Sequence, residues 1–181
     1  MKNERIADIA SSIAESANHW VVIKNGTLSL VNRNQDNASV YATYTQPDLI
    51  ELSISVAMPI RSIRASWTQN RPYSLTNKLS KESRQVKVEI SSYGRDLEVE
   101  PLSTVESEAK AFVSSYYQIE KRPQSTAKLA GILDLEIGYR IVCFDSQNEV
   151  ESNITIASIS YDFEAETTSV SGHSQITHRV A

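Results

Sequence analysis

The side chains able to do chemistry in this chain are three histidines, a single cysteine and a good supply of carboxylates. His173 and His178 stand five residues apart, which is not the spacing of a zinc-binding helix, and neither a cysteine nor a third ligand lies beside them. An incidental pair is the better reading. His19 stands alone. Cys143 has no second cysteine to pair with, so there is no internal disulfide. Set between Val142 and Phe144 in an apolar run, it is expected to fill core rather than to act as a nucleophile. The chain has no Gly-x-Ser-x-Gly elbow, and its five glycines are scattered singly, leaving no phosphate-cradling loop. Asp134 with Glu136, and Glu98 with Glu100, are spaced to share one strand face, as a glycosidase pair would. At the ends of strands, solvated charge is the commoner use of such residues. The sequence therefore predicts no catalytic residues, no metal site and no cofactor.

Aromatic residues offer a second chemistry, that of contact. Trp20, Trp67, Tyr116, Tyr117, Tyr161 and Phe163 stand at strand or helix spacings, where rings more often fill cores or interfaces than line sugar grooves. Trp67 closes an apolar run and Tyr73 sits in a polar segment, so these two are the candidate interface residues. Lys78, Lys81, Arg84 and Lys87 gather positive charge, but Glu82 and Glu89 interrupt it, as on a solvated face. A net charge of -4 argues against a nucleic-acid partner, which calls for a basic face. No apolar run approaches the ~20 residues of a membrane span. The polar N-terminus has no signal-peptide core, so the expected place is the cytoplasm unless the chain is built into something larger.

The elements that must position these residues follow from periodicity. Ile6, Ile9, Ala10, Ile13 and Ala17 recur at helical spacing, predicting an amphipathic helix over residues 3–17, with Asn18 closing it in a left-handed turn. Residues 19–24 and 27–31 flank Asn25-Gly26, the strongest two-residue hairpin signal. Ile50, Leu52, Ile54 and Val56 alternate with polar residues; past Pro59 the alternation resumes through Arg61, Ile63, Ala65 and Trp67. Val86, Val88 and Ile90 form another half-buried strand, and Leu97 and Val99 follow a turn at Tyr93-Gly94. The polar residues 70–85 between them read as an exposed arm or loop. A second helix is expected over residues 104–121, capped by Ser103 or Thr104 and stopped by Pro123, with Val105, Ala109, Phe112, Val113 and Tyr116 on its apolar face. Strands over 139–145, 154–161 and 167–170 close the chain, with a β-bulge between Ile156 and Ile159. The fold class is α+β, mainly antiparallel β-barrel-like sheets with two amphipathic helices. The chain divides as 1–101 and 102–181, each a helix with strands, or forms one intertwined domain.

Leu135-Glu136-Ile137-Gly138-Tyr139-Arg140-Ile141 followed by Phe144-Asp145, and Ile159-Ser160-Tyr161-Asp162-Phe163 with Thr167-Thr168-Ser169-Val170-Ser171-Gly172, resemble strand entries and closing hairpins of phage and prophage tail-hub or baseplate-hub proteins. The strand–Pro–strand passage from Ile54 to Trp67 and the opening helix and hairpin are similar to the same family. Tyr139 stands where the family often has Asp after the turn glycine. The resemblance implies a structural component of a tail (hub, tip or baseplate) acting through assembly and not as an enzyme. It implies a homo-oligomer, trimer favoured, with tube, spike or fibre proteins as partners, in the host cytoplasm during assembly and then in the virion tail. The chain would then be such a protein or the C-terminal half of one. The alternative is a carbohydrate-binding β-module using Trp67 and surface tyrosines, which needs at least two stacked, solvent-facing rings.

Overall fold

The computed structural model describes residues 6–24, 26–35, 38–72, 79–103 and 105–178. Its elements in chain order are α1 (Ile6–Ser16), β1 (His19–Lys24), β2 (Thr27–Asn32), β3 (Val40–Thr45), β4 (Leu49–Ser55), β5 (Ile60–Pro72) and β6 (Leu79–Glu89). Then come β7 (Arg95–Val99), α2 (Glu106–Glu120), β8 (Gln124–Ala130), β9 (Arg140–Asp145), β10 (Val150–Asp162) and β11 (Thr167–His178). The α+β plan, rich in antiparallel sheet, is the one the periodicity predicts. Two compact units result, and neither is continuous in sequence: Met1–Val21 with Met58–Lys121, and Val22–Ala57 with Arg122–Ala181. The position 101/102 falls inside the first of them.

In the first unit a three-stranded sheet runs β6-β5-β7, with β5 antiparallel to β6 and parallel to β7. A register shift between Ile60 and Ser62 lets Ile60, Ile63 and Ala65 all be buried. They pack with Val113 of α2, and Val86, Val88, Leu97, Tyr116 and Tyr117 close over them. Burying each such aliphatic side chain contributes roughly 1.5–3 kcal/mol. Ala109 and Ile119 are also buried on α2, but Val105 is exposed. Val105, not Ser103 or Thr104, occupies the N-cap position, with no side-chain cap; Thr104 lies outside the described residues. Asn18 ends α1 at φ 60°, as its side chain's tolerance for that region predicts. On α1 itself Ala14 is buried while Ile9 and Ile13 are exposed, so the helix presents its smaller residues inward. The polar stretch expected as a loop is largely strand, because β5 continues to Pro72 and β6 begins at Leu79. Charged alternation there suits an edge strand such as β6, where it discourages further pairing.

The second unit holds a six-stranded sheet in the order β3-β9-β10-β11-β8-β4, curled into a half-barrel. β3 and β4 are consecutive in the chain yet lie at opposite edges, joined only by residues 46–48. So short a connection forces the two edges toward each other. Leu49, Ala127, Leu129, Ile141, Ile154, Ile156 and Val170 fill the interior. A shift between Leu49 and Glu51 leaves Leu49 at 2% exposure and Ile50 at 53%, before the expected alternation resumes with Leu52 and Ile54. The bulge expected after Ile156 is present, the β10–β11 register shifting between Ile156 and Ser158. Both strands run longer than predicted, since Ser, Thr and His residues as well as aliphatics continue the ladder to His178. Gly172 lies opposite the bulge, where a Cβ would meet the Thr155 carbonyl oxygen at 1.8 Å. β1 and β2 form a separate two-stranded ribbon. Gly138, at φ 90°, lets Val31 of β2 pack where its own side chain would stand.

Candidate functional site

In the first unit a cavity of about 390 Å³ opens beside Trp67, lined also by Ser16, Ser66, Glu100, Leu102 and Ser103 among others. Residues 101–103 are held against the end of α1 by the Leu102 amide, which donates to the Ser16 carbonyl at 3.0 Å. The Ser16 hydroxyl donates to the Ser12 carbonyl at 2.9 Å. Trp67 is only 8% exposed. Its indole Nε1 and the Ser103 Oγ are buried without a hydrogen-bond partner among the described residues. Buried polar groups are nearly always paired, so two such atoms stand out, though neither has accessible surface through which to face the cavity. The sequence pointed to Trp67, though not to its burial; the cavity's serines carried no signal beyond abundance.

Across the same sheet, charges form a ladder. Arg61 Nε donates to Asp96 Oδ1 at 2.9 Å and Ser62 Oγ donates to the same oxygen at 2.7 Å, with a second Arg61–Asp96 contact alongside. The Arg61 hydrogen bond first, and Ser62 next, hold the Asp96 carboxyl far below the usual carboxylate range. Arg64 pairs with Glu98 at 3.1 Å. Glu98 is therefore part of a surface ladder, while Glu100 lies beyond the end of β7 at the cavity.

The second unit's candidates do not converge. Cys143 is buried in the half-barrel, and burial pushes its thiol up to about 12, leaving it neutral at ordinary pH. Ser125, Ser152 and Ser174 form a buried hydroxyl chain, with Ser125 Oγ 2.8 Å from Ser152 Oγ and 2.7 Å from Ser174 Oγ. Ser174 Oγ also donates to the Pro123 carbonyl at 3.3 Å. These hydroxyls satisfy one another, and none is hydrogen-bonded to an imidazole or carboxylate among the described residues. On β11, His173 places its Nε2 3.3 Å from a nitrogen of Arg33, which follows β2. An odd offset along a strand puts His178 on the opposite face. Glu136 pairs with Lys24, and this contact raises the lysine's pKa. Asp134 instead accepts from the Tyr41 hydroxyl through its backbone carbonyl, at 3.4 Å. Among the described residues no group of three His, Cys, Asp or Glu side chains could hold a metal.

The aromatic residues separate in the same way. Tyr41 stacks on Tyr139 with centroids 4.4 Å apart. Tyr161 and Phe163 lie 6.1 Å apart and tilted, Phe163 being 75% exposed. Trp67 belongs to neither pair and offers no open ring face. Tyr73 lies outside the described residues. No helix among the described residues is long and apolar enough to cross a membrane.

No protein-family model matches the sequence, and no curated protein matches it. Solved structures do. A tail protein from Neisseria meningitidis MC58 is similar over 95% of this chain and 55% of its own, with a TM-score of 0.59 at 12% identity. The 43 kDa tail protein of prophage MuSo2 from Shewanella oneidensis matches 94% of this chain and 55% of its own, with a TM-score of 0.55 at 14% identity. A chain of the native gene transfer agent virion matches 96% of this chain and 47% of its own, with a TM-score of 0.52 at 12% identity. At these identities the likeness is one of fold, and this chain spans about half the length of the structures it matches.

Proposed function

We propose that this chain is a structural component of a phage or prophage tail, at the hub, tip or baseplate, working through subunit assembly rather than catalysis. The observation that carries the reading is a fold shared with tail proteins over 94% or more of the chain. Surface chemistry supports it. Ile23 on β1 is 66% exposed, and Leu28 and Leu30 on β2 are also exposed, an apolar ribbon of the kind that subunit contacts cover. The ladder of ion pairs on the β5–β7 sheet is likewise surface chemistry, not an active-site arrangement. In this reading the chain assembles as a homo-oligomer, a trimer in preference, and joins tube, spike or fibre proteins, passing from the host cytoplasm into the virion tail. Tyr73 is proposed as one of its contact residues.

Light scattering over a dilution series, with and without the product of the neighbouring gene, tests this. A discrete trimer, or a ring that captures a tube or spike protein, is the expected result. A monomer at all concentrations that captures neither overturns it.

A further inference from the structure

We infer that the tip of the β10–β11 hairpin is a docking knob for a second, different protein, one whose surface offers an apolar recess rimmed by lysine or arginine. Phe163 is 75% exposed there and Tyr161 42%, with their ring centroids 6.1 Å apart and the rings tilted by 30°. Two rings this close form one apolar projection, of the kind that anchors an interface. The Gly131 amide donates to the Glu166 carbonyl at 2.7 Å, which brings Ile132, also exposed, to the same end of the sheet. The turn that carries Phe163 is firmly held. Asp162 Oδ1 accepts from the amides of Glu164 at 3.1 Å and Ala165 at 2.9 Å. Below it the two strands pair without a break from Ser158 with Ser171 to Asp162 with Thr167. A knob ordered before binding loses little entropy when it docks.

Charge says what kind of partner the knob fits. Between Ile141 and His178 the sequence has six carboxylates and no lysine or arginine. Three of the six, Asp162, Glu164 and Glu166, flank Phe163, and all are exposed. Such a tip is repelled by nucleic acid and by anionic lipid surfaces. A neutral glycan feels no long-range attraction to it, whereas a basic protein surface is steered by it. Two copies of the tip repel each other, so it is not self-complementary, as a twofold contact would require. Among the described residues, Lys24, Arg61, Arg64, Lys87 and Lys110 each already pair with a carboxylate of their own chain, which favours a different protein over a second copy as the source of the basic rim.

The whole chain, Phe163→Ala and the double variant Glu164→Lys with Glu166→Lys are each titrated by calorimetry against the purified products of the two flanking genes; the inference rests on the tail reading for that choice of probes. All three substitutions fall at exposed positions, and thermal melts check that the variants fold as the parent does. One flanking product is expected to bind the parent. Phe163→Ala should weaken that binding roughly tenfold or more. The double variant should weaken it as much at about 50 mM NaCl, with the gap narrowing toward about 500 mM. Binding that either variant leaves unchanged overturns the inference while the tail reading stands. Capture of neither product also overturns it, and the light-scattering mass then decides the tail reading separately, a trimer upholding it. If the variants instead break the chain's own oligomer and leave capture intact, the occupant is a second copy and the inference is wrong. It is equally wrong if Phe163-dependent binding is seen to phosphatidylglycerol vesicles or to a soluble chitin oligosaccharide and to neither flanking product.

Discussion

Asp96 shows how one side chain on an open sheet face acquires a pH-dependent role. Its carboxylate accepts from Arg61 and Ser62, and those bonds are strongest while it is charged. With its folded-state pKa lowered, it contributes stability above the ordinary carboxylate pKa of about 4, and that contribution is lost as pH falls through the folded value. Asp96→Asn is expected to lower the melting temperature at pH 7 by about 1–3 °C, and the difference from the parent should shrink toward pH 2. Thermal melts at a series of pH values check it; a gap that stays constant with pH contradicts it. Some positions at this scale were legible in the sequence. Asn18 in a left-handed cap, Gly138 in a tight turn and Cys143 as core are local properties of one residue and its neighbours. Ser103 was not legible, because whether a serine caps a helix depends on where the helix begins, and α2 begins too late for it.

Register decides what the strands bury. Shifts occur in β3–β9 at Val40/Ala42, β4–β8 at Leu49/Glu51, β5–β7 at Ile60/Ser62 and β10–β11 at Ile156/Ser158. Each exchanges the faces of a strand partway along. The one in β10 could be read because apolar residues on both sides change parity. The one in β4 could not, since Leu49 and Ile50 are adjacent and equally apolar, so sequence alone does not say which faces in. Gly172 gives a test of how firmly the β10 bulge is specified. A methyl group there collides with the Thr155 backbone rather than with a side chain that could turn away. Gly172→Ala should therefore destabilise the chain by about 1–3 kcal/mol, read as a lower urea midpoint with an unchanged slope. An unchanged midpoint would show that the strands can part without loss.

Across the whole molecule, the chain enters the first unit, leaves it, returns to it and leaves again. A reading that proceeds along the sequence meets helix–strands twice and either cuts between them or keeps one intertwined domain, and the compact units are likewise interleaved along the chain. Residues 1–101 contain β5, β6 and β7 but lack α2, whose Val113 completes their core, and they lack every central strand of the six-stranded sheet. Expressed alone, that fragment is expected to give a poorly dispersed amide spectrum; a well-dispersed one would show that α2 is dispensable. The placement of β3 and β4 at opposite edges also sets a timetable for synthesis. On the ribosome, both strands emerge before any of the four that lie between them. β4 ends at Ser55 and β8, its partner, at Ala130, so roughly 75 residues must be added before that pairing is complete. At ~5–20 residues per second the interval is on the order of 4–15 s, throughout which two nascent strands stand available to chaperones or to the same strands on a neighbouring ribosome.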